Sequence, residues 1–257
     1  MYKKACKEAL NYIRPIIIGK KYYNNDTIIN DIGTVIVLNN NGNILTTKEL
    51  AENIYLSIDT NSVFKNIFLE LKNKKIKEIK KIEKKYSLDN NVITNLQVQI
   101  VDVAESITNI EIIPHEYLNL AIIKSENKGL FINKFPKFIN KSVSQGQDFV
   151  ATGFAFPEYE NFAYNYEKNE IETTYKRMNF PTYPITGIVT RNLMDEHGNI
   201  SEFEISSEIF VGMNGGPLLD KEGNIYVNNE LIKKAGIVIN STDIIKFLED
   251  NNITYGE

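Results

Sequence analysis

A glycine-rich segment near the carboxyl end of the chain has the composition of an anion-binding loop. It reads VGMNGGPLLD and spans residues 211–220. Glycine adopts backbone conformations that are closed to other residues, so such a loop packs tightly and points successive amide N–H groups at one spot. Convergent donors of this kind stabilise the oxyanion that forms during acyl transfer. We therefore expect an oxyanion-type loop made of Gly212, Met213, Asn214, Gly215 and Gly216.

Few other residues offer acid–base or metal chemistry. The chain has two histidines, His115 and His197, and one cysteine, Cys6. Two histidines leave little material for a histidine-rich metal site, and we predict neither a metal nor a cofactor. We interpret His115 as a surface loop residue, His197 as a solvated turn residue and Cys6 as a packing residue of an N-terminal helix.

Two segments have the composition of binding surfaces. Residues 62–86 carry nine lysines and three glutamates in a helical pattern with a break near Asn73. This is typical of a solvated helix face, and also of a surface for an acidic partner or a nucleic-acid backbone. Residues 157–181 are acidic and rich in tyrosine, which offers contact area at low entropic cost, and indicate a long surface loop or hairpin. The candidate partner-binding residues are Lys74, Lys77, Lys81, Tyr159, Tyr164 and Tyr166.

Short β-branched runs separated by turns dominate the rest of the chain. GTVIVLNNNGNILTT at residues 33–47 is a hairpin signal. Apolar spacing predicts helices at residues 3–14 and in STDIIKFLED near the C-terminus, where Ser241 or Thr242 would cap the first turn. Many short strands with few helices favour an all-β sandwich or a pair of barrels. Further strands are predicted at 92–103, 109–113, 118–123, 148–154, 185–190, 202–210, 216–219 and 235–239.

Five motifs, in order, resemble the trypsin-like serine peptidases of the bacterial high-temperature-requirement kind. VGMNGGPLLD is similar to the nucleophile loop of that family. Residues 33–54 are similar to the hairpin and helix that bring in the catalytic histidine, and LNLAIIKS at 118–125 to the strand that carries the aspartate. TGIVT at 186–190 and AGIVINSTDIIKFLE at 235–249 resemble later strands and the C-terminal helix. The resemblance implies an all-β chain with two six-stranded antiparallel β-barrels, N- and C-terminal helices and a helical insertion.

The same resemblance divides the chain into three parts. Residues 1–30 would form an N-terminal helix and a lead-in. Residues 31–140 would form the first barrel, with the helical insertion at 62–86. Residues 141–257 would form the second barrel, with the long loop at 157–181 and the C-terminal helix.

Each position of the family's catalytic triad carries a different residue type. Glu49 stands at the histidine position, Asn119 at the aspartate position and Asn214 at the serine position. A triad needs an imidazole that takes the hydroxyl proton and a carboxylate that fixes its tautomer, and an amide is not a nucleophile for acyl transfer. The resemblance therefore implies a pseudoprotease, which is not an enzyme and acts as a protein-binding or regulatory module. A loop kept only because it folds well is the plain alternative.

Two other functions stay open. The first is a hydrolase with a rearranged site, in which Glu49 is the base and Ser206 or Ser207 the nucleophile. A reference glutamate pKa of about 4.3 makes this carboxylate a weak base at neutral pH. The second is nucleic-acid binding through the lysine-rich helix 62–86.

Composition limits the partners and the location. The chain has 257 residues, 42% of them hydrophobic and 24% charged, and a formal net charge of −4. These values are typical of a soluble globular protein and offer no protein-wide attraction to nucleic acid. No apolar stretch reaches the ~18 residues that span a bilayer, no signal peptide is evident, and a single cysteine fits a reducing compartment. We expect a cytoplasmic chain whose partner is a protein or peptide rather than a nucleic acid or a membrane.

Overall fold

The computed structural model describes residues 2–138, 140, 143–155, 161–174, 180–194, 198, 200–232 and 235–256. None of the helices in these ranges is long and apolar enough to cross a membrane. In chain order the elements are α1 (Lys3–Ala9), β1 (Ile13–Tyr22), β2 (Ile28–Val37), β3 (Ile44–Thr46), α2 (Lys48–Leu71), α3 (Ile76–Tyr86), β4 (Ile93–Ile100), β5 (Ala104–Pro114), β6 (Ala121–Leu130), β7 (Asp148–Gly153), β8 (Phe162–Asn165), β9 (Glu170–Thr173), β10 (Tyr183–Met194), β11 (Ile200–Ile205), β12 (Pro217–Leu219), β13 (Ile225–Ile232), β14 (Ala235–Ile239) and α4 (Ser241–Asp250).

The first sheet has six antiparallel strands in the order β4-β1-β2-β3-β6-β5 and is open between β4 and β5. Its central strands are buried on both faces. Ile16 and Val35 pack in the interior of this sheet, whereas Ile17 and Ile36 belong to the cluster that also contains Val150 of the second half. Burial on both faces explains why β1 and β2 read as continuous apolar runs instead of alternating ones.

The second sheet is a closed barrel in the order β10-β11-β14-β13-β12-β7. When the six strands of each sheet are counted in chain order, without the β8–β9 hairpin, the two sheets have the same neighbours. One pairing differs: the fourth and fifth strands pair in the second barrel, as β12 with β13, but not in the first, as β4 with β5. The prediction of two six-stranded antiparallel units in a trypsin-like arrangement is confirmed, with the first unit curled and unclosed.

The helical insertion is longer than predicted. It begins at Lys48 instead of residue 62, because Thr47 caps α2 by accepting a hydrogen bond from the Leu50 amide at 3.3 Å. The predicted break is confirmed, since α2 and α3 are separate helices and Asn73 between them has a φ of +62°. Tyr23, Phe64, Ile67 and residues of α3 form a small cluster that holds the two helices together.

Three further boundaries differ from the prediction. The N-terminal helix ends at Ala9, and the predicted lead-in 1–30 contains β1, a member of the first sheet. Pro15 and the isoleucines that follow it favour a strand over a helix.

The predicted loop 157–181 does contain a hairpin, β8–β9, while its residues 157–160 and 175–179 lie outside the described ranges. The cap of α4 is Asn240, whose Oδ1 accepts from the Thr242 amide at 3.3 Å, and not Ser241 or Thr242.

Candidate functional site

The structure brings Glu49 and Asn119 together at the start of α2. The backbone N–H of Glu49 donates to Oδ1 of Asn119 at 3.3 Å. Glu49 is the second residue of the helix, after the Thr47 cap, so its amide has no partner within the helix. The side chain of Asn119, at the entrance to β6, supplies the missing acceptor. These two residues aligned with triad positions are therefore neighbours, although 70 residues separate them in the sequence.

Thr34 on β2 fastens the glycine loop to the first sheet. The Thr34 hydroxyl donates to the carbonyl of Gly212 at 2.7 Å, and the Thr34 amide donates to the carbonyl of Asn214 at 2.9 Å. Between them, the carbonyl of Met213 accepts from the Gly216 amide at 2.9 Å. Three successive carbonyl groups of the loop are thus engaged inside the protein.

Two glycines of the loop are required by close backbone approach. Gly212 has a φ of +96°, and a Cβ there would lie 2.1 Å from the carbonyl oxygen of Phe154. Gly215 has a φ of +80°, and a Cβ there would lie 2.2 Å from the carbonyl oxygen of Thr34. Both conformations favour glycine, and both spaces exclude a side chain. The prediction that these residues are glycine for reasons of backbone geometry has a direct structural basis.

The inward carbonyls leave amide donors on the opposite side of the loop. In a trans peptide the C=O and the N–H point in opposite directions. Because the carbonyls of Met213 and Asn214 point at Gly216 and Thr34, the amides of Asn214 and Gly215 point away from those partners. Within the described residues, neither these two amides nor that of Gly212 donates a hydrogen bond.

The loop and the start of α2 are linked through Thr46. The hydroxyl of Thr46, at the end of β3, donates to the carbonyl of Thr34 at 3.0 Å. It also lies 2.5 Å from the place that a Cβ atom at Gly215 would occupy. The side-chain Oδ1 of Asn214 is buried and accepts no hydrogen bond from any residue that the structure describes. The loop therefore sits beside the strand that leads into Glu49, and the convergence of Glu49, Asn119 and Asn214 on one cleft stays a prediction.

The two serines proposed for a rearranged hydrolase site form hydrogen bonds to a neighbouring strand. Ser206 Oγ accepts from the amide of Ile188 at 2.9 Å, and Ser207 Oγ donates to the carbonyl of Thr186 at 2.8 Å. Both hydroxyls are thus bound to the backbone of β10, and in the described part of the chain neither has a hydrogen bond to Glu49. The two serines close the edge of β11 against β10 instead of serving a carboxylate base.

The histidines have different outcomes. Nδ1 of His115 accepts from the amides of Tyr117 and Leu118 at 3.2 and 3.1 Å, and the ring packs edge-to-face on Phe247 with centroids 4.9 Å apart. Burial lowers the pKa of His115 below its usual 6.5, which favours the neutral ring whose Nδ1 accepts these hydrogen bonds. His115 is therefore a half-buried structural residue, whereas a surface loop residue was predicted. His197 lies outside the described residues. In the described ranges no group of three or more histidine, cysteine, aspartate or glutamate side chains is placed to hold a metal ion.

The tyrosine candidates serve the hairpin itself. Tyr164 is half-buried, hydrogen-bonds to Asn169 and lies under the ammonium of Lys21, 4.6 Å from the ring centroid. Burial raises the pKa of Tyr164 to about 12. Tyr166 is exposed and donates to Asp26 at 3.3 Å. Tyr164 fastens β8–β9 to β1, and Tyr166 fastens it to the turn between β1 and β2. Tyr159 lies outside the described residues.

The lysine candidates lie on or beside α3. Lys74, Lys77 and Lys81 are exposed. Lys85, one turn on from Lys81, forms an ion pair with Glu70 at 3.1 Å. Sequence reasoning did not find Thr34, whose contacts to the loop join residues 178 positions apart and leave no spacing signal.

Two sheets of like strand order with a glycine loop between them define the trypsin-like double-barrel class of fold. No family model matches the chain. An HtrA-type protease, AlgW, in a serine-to-alanine variant with a decapeptide, is similar over 99% of this chain and 68% of its own, with TM-score 0.55 and 12% identity. A serine endoprotease from Yersinia pestis is similar over 97% of this chain and 66% of its own, with TM-score 0.53 and 14% identity. At these identities the likeness shows the shared fold alone.

One curated protein matches by sequence. It is the tRNA-specific 2-thiouridylase MnmA of Acetivibrio thermocellus, 25% identical over 171 residues. The match covers 59% of this chain and 45% of that protein, so the chain spans less than half of that relative's length. The structural likeness to the two proteases extends over nearly the whole chain, and the described fold agrees with it.

The comparisons contradict the prediction that the chain is not an enzyme. The two solved structures named above, which share its fold, are proteases by name. Residue types at three aligned positions do not by themselves exclude catalysis on such a scaffold. The non-enzyme prediction is therefore withdrawn, and the protease-related fold stands.

Proposed function

We propose that the chain is a peptide- or protein-binding module with a protease-related fold, whose glycine loop holds a peptide carbonyl or a terminal carboxylate. The observation that supports this most is the set of amides at Gly212, Asn214 and Gly215, which donate to no described residue. Gly212 and Gly215 are buried. Buried N–H groups without acceptors are costly, and an oxygen ligand removes that cost.

The rigidity of the loop supports the same proposal. The carbonyl of Met213 is fixed by the Gly216 amide and that of Asn214 by the Thr34 amide, so the amides of Asn214 and Gly215 on the same peptide planes are held in place before a ligand arrives. Donors that are already oriented bind an anionic or carbonyl oxygen without further ordering cost. The comparison protease AlgW was determined with a decapeptide, which is the class of ligand we propose here. Glu49 and Asn119 are proposed to line the same cleft.

Affinity selection with peptides tests this function. The chain is immobilised and exposed to a pool of decapeptides, half with free C-terminal carboxylates and half amidated, and retained peptides are weighed by mass spectrometry. Selective retention of the free acids identifies a carboxylate ligand, and equal retention a peptide carbonyl. Cleaved masses in the same spectra report hydrolysis independently of binding.

A matched pair of variants locates the site. Thr34→Val removes the hydroxyl that holds the Gly212 carbonyl, and should lower peptide affinity by about tenfold. Thr94→Val removes an equally buried hydroxyl, which donates to the carbonyl of Lys21 on β1, and should leave affinity within about twofold. Equal loss in both variants, or no retained peptide from the unaltered chain, would overturn the proposal.

A cytoplasmic location is part of the proposal. Cys6 is a free thiol in α1 and is half-buried. Burial raises the pKa of its thiol, which keeps it protonated and little reactive. Fractionation of cells expressing the tagged chain tests the location, and recovery outside the cytoplasmic fraction would contradict it.

A second candidate function, polyanion binding, is favoured by the layout of α3. With 3.6 residues per turn, five exposed lysines fall on one arc of about 140°. The opposite face carries Ile82 and Tyr86, which pack on α2 in the small cluster with Phe64. Four positive charges on one exposed arc, beside a fifth at Lys85 that is paired with Glu70, fit a nucleic-acid backbone. The lysines of this arc are Lys77, Lys80, Lys81, Lys84 and Lys85.

A salt titration with transfer RNA tests the second candidate, because the curated sequence match is tRNA-specific. Neutralising three lysines of the arc with Lys77→Gln, Lys81→Gln and Lys84→Gln should weaken binding and flatten the salt dependence by up to about three counterions. The matched control changes the same charge on α1, at Lys3, Lys4 and Lys7, and should bind as the unaltered chain does. Equal effects of the two triple variants would contradict a specific surface.

A further inference from the structure

The first sheet has an open seam between β4 and β5. Each of these strands pairs on one side only, β4 with β1 and β5 with β6. Strand edges without partners are templates for an added strand. In the second barrel the equivalent strands, β12 and β13, pair with each other, from Pro217 with Val227 to Leu219 with Ile225. The seam is therefore the one place where the two sheets, alike in order, differ in pairing.

The backbone of β4 presents hydrogen-bonding groups to the seam at every second residue. Both backbone groups of Leu96 bond to the side chain of Asn61, so Leu96 faces away from β1. The Val101 amide donates to the carbonyl of Pro15 on β1, so the backbone groups of the odd-numbered residues of β4 face β1 and those of the even-numbered residues face the seam. In an antiparallel ladder the direction alternates from residue to residue. The N–H and C=O groups of Val98 and Ile100 therefore face the seam, and no described residue bonds to them.

The backbone of β5 presents a second row across the seam. The Phe131 amide donates to the carbonyl of Val103, so Val103 faces β6. The register continues without a shift through the pairing of Ala104 with Leu130 and of Ser106 with Lys128. By the same alternation, Ala104 and Ser106 direct their N–H and C=O groups into the seam. These groups also have no hydrogen-bond partner in the described structure.

Side chains of helix α2 form hydrogen bonds to the backbone of β4 and β5 farther along the same two strand edges. Asn61 pairs with the backbone of Leu96 through both atoms of its amide, at 2.7 and 3.0 Å. The hydroxyl of Tyr55 bridges β5, donating to the carbonyl of Ile110 at 3.4 Å and accepting from the amide of Ile112 at 3.1 Å. Side chains of α2 thus imitate a neighbouring strand on both sides, and the stretch between them has no such substitute.

The unsatisfied stretch is also a cavity. It has a volume of about 280 Å³. Apolar side chains make up most of the lining and pack on the interior of the first sheet, and Gln99, Glu105 and Ser106 add polar groups to it. Its lining from both strands and from α2 includes Ile54, Val98, Ile100, Ala104, Ile107 and Ile110.

We propose that this seam binds an extended segment of a partner protein, which adds to the first sheet as a strand. The two rows of backbone donors and acceptors specify an extended main chain. The apolar members of the lining favour an apolar side chain at every second residue of that segment, because alternate side chains of a strand face the same side. This site lies on strands remote in sequence from the glycine loop, and the proposal does not rest on the proposed function.

The probe is a hexapeptide of alternating threonine and valine, acetylated and amidated so that it has no terminal carboxylate for the glycine loop. Its binding is followed by hydrogen exchange and by fluorescence anisotropy of a labelled copy. In the free chain the amides of Val98, Ile100 and Ser106 should exchange rapidly, and the peptide should protect them. The same peptide methylated on every second backbone nitrogen keeps its side chains, loses donors and should bind about tenfold more weakly or worse.

Two variants at one position separate backbone from side chain. Ser106→Pro removes the amide that faces the seam and should reduce peptide binding. Edge strands tolerate proline at such a position. Ser106→Ala keeps the amide and should not reduce binding. The methylated peptide gives the same information if Ser106→Pro fails to fold. Three results would overturn the proposal: slow exchange of these amides in the free monomer, equal binding of methylated and plain peptide, or concentration-dependent dimerisation that protects them, which would make a second copy the occupant.

Discussion

Asn119 holds the first turn of α2 by accepting the backbone N–H of Glu49 through Oδ1 at 3.3 Å. Both residues stand where the resemblance to trypsin-like peptidases places members of a triad. In this chain their contact is between a side chain and a backbone amide, and it satisfies one of the amides left open at a helix start. Asn119 thus has a structural role at the start of α2, which is independent of any catalytic role.

Replacing Asn119 tests this role. Asn119→Ala should lower the free energy of unfolding by about 1 kcal/mol, as the loss of an N-terminal helix acceptor does. Asn119→Asp keeps the acceptor at the same place and should retain more stability than the alanine variant. Urea unfolding followed by far-ultraviolet circular dichroism measures both. Identical midpoints for the two variants would mean that the hydrogen bond contributes nothing.

The fold was accessible from sequence because its signals are local or ordered. The hairpin at 33–47, the glycine loop and the C-terminal helix each have a short-range pattern, and the resemblance of their order to trypsin-like peptidases implies the two-unit architecture. Strand β1 was missed because IRPIIIGKKY is apolar on both faces and has no alternation to mark it. The contacts of Thr34 were inaccessible, since they depend on how two distant segments meet.

The hydroxyl of Thr34 should contribute strongly to the free energy of unfolding, because it forms two buried hydrogen bonds. It donates to the carbonyl of Gly212 at 2.7 Å and accepts from the amide of Phe154 at 3.0 Å, and the residue is fully buried. Thr34→Val keeps the shape and leaves both backbone groups unpaired, so it should cost about 1–3 kcal/mol. Thr34→Ser keeps the hydroxyl and should lose less. Thermal unfolding compares them, and a serine variant no more stable than the valine variant would refute the assignment.

The burial of His115 predicts a loss of stability in mild acid. Its pKa is lowered from the usual 6.5 by burial, against a smaller opposing effect of Glu116. Well above pH 6.5 the imidazole is neutral in both the folded and the unfolded chain. As the pH falls below 6.5 the unfolded chain takes up a proton before the folded one does, so the free energy of unfolding decreases.

His115→Asn is the control for this prediction. The asparagine Oδ1 can replace Nδ1 as acceptor for the amides of Tyr117 and Leu118 but does not titrate. Urea unfolding at pH 7.5 and 5.0 should show a larger loss in the unaltered chain than in the variant. Parallel losses in the two proteins would assign the acid sensitivity to other groups. The assignment also requires the nuclear magnetic resonance titration of His115 to give a pKa below 6.5.

The β8–β9 hairpin belongs to the second half of the sequence but is packed on the first sheet. Phe162 is buried, and its Cδ2 lies 2.7 Å from the Cβ position of Gly19 on β1. Asn95 on β4 donates to the carbonyl of Asn169 in the hairpin at 2.8 Å, in a buried setting. The absence of a side chain at Gly19 is therefore a condition for this docking.

Filling that space should loosen the hairpin. Gly19→Ala should destabilise the chain by about 1–3 kcal/mol, because the new methyl group displaces the Phe162 ring. Phe162→Leu alone should cost a similar amount through lost contact. If the two residues meet as described, the double variant will be more stable than the sum of the single effects predicts, since the smaller side chain makes room for the methyl group. Chemical unfolding of all four proteins gives the coupling, and strictly additive effects would show that Gly19 and Phe162 are not in contact.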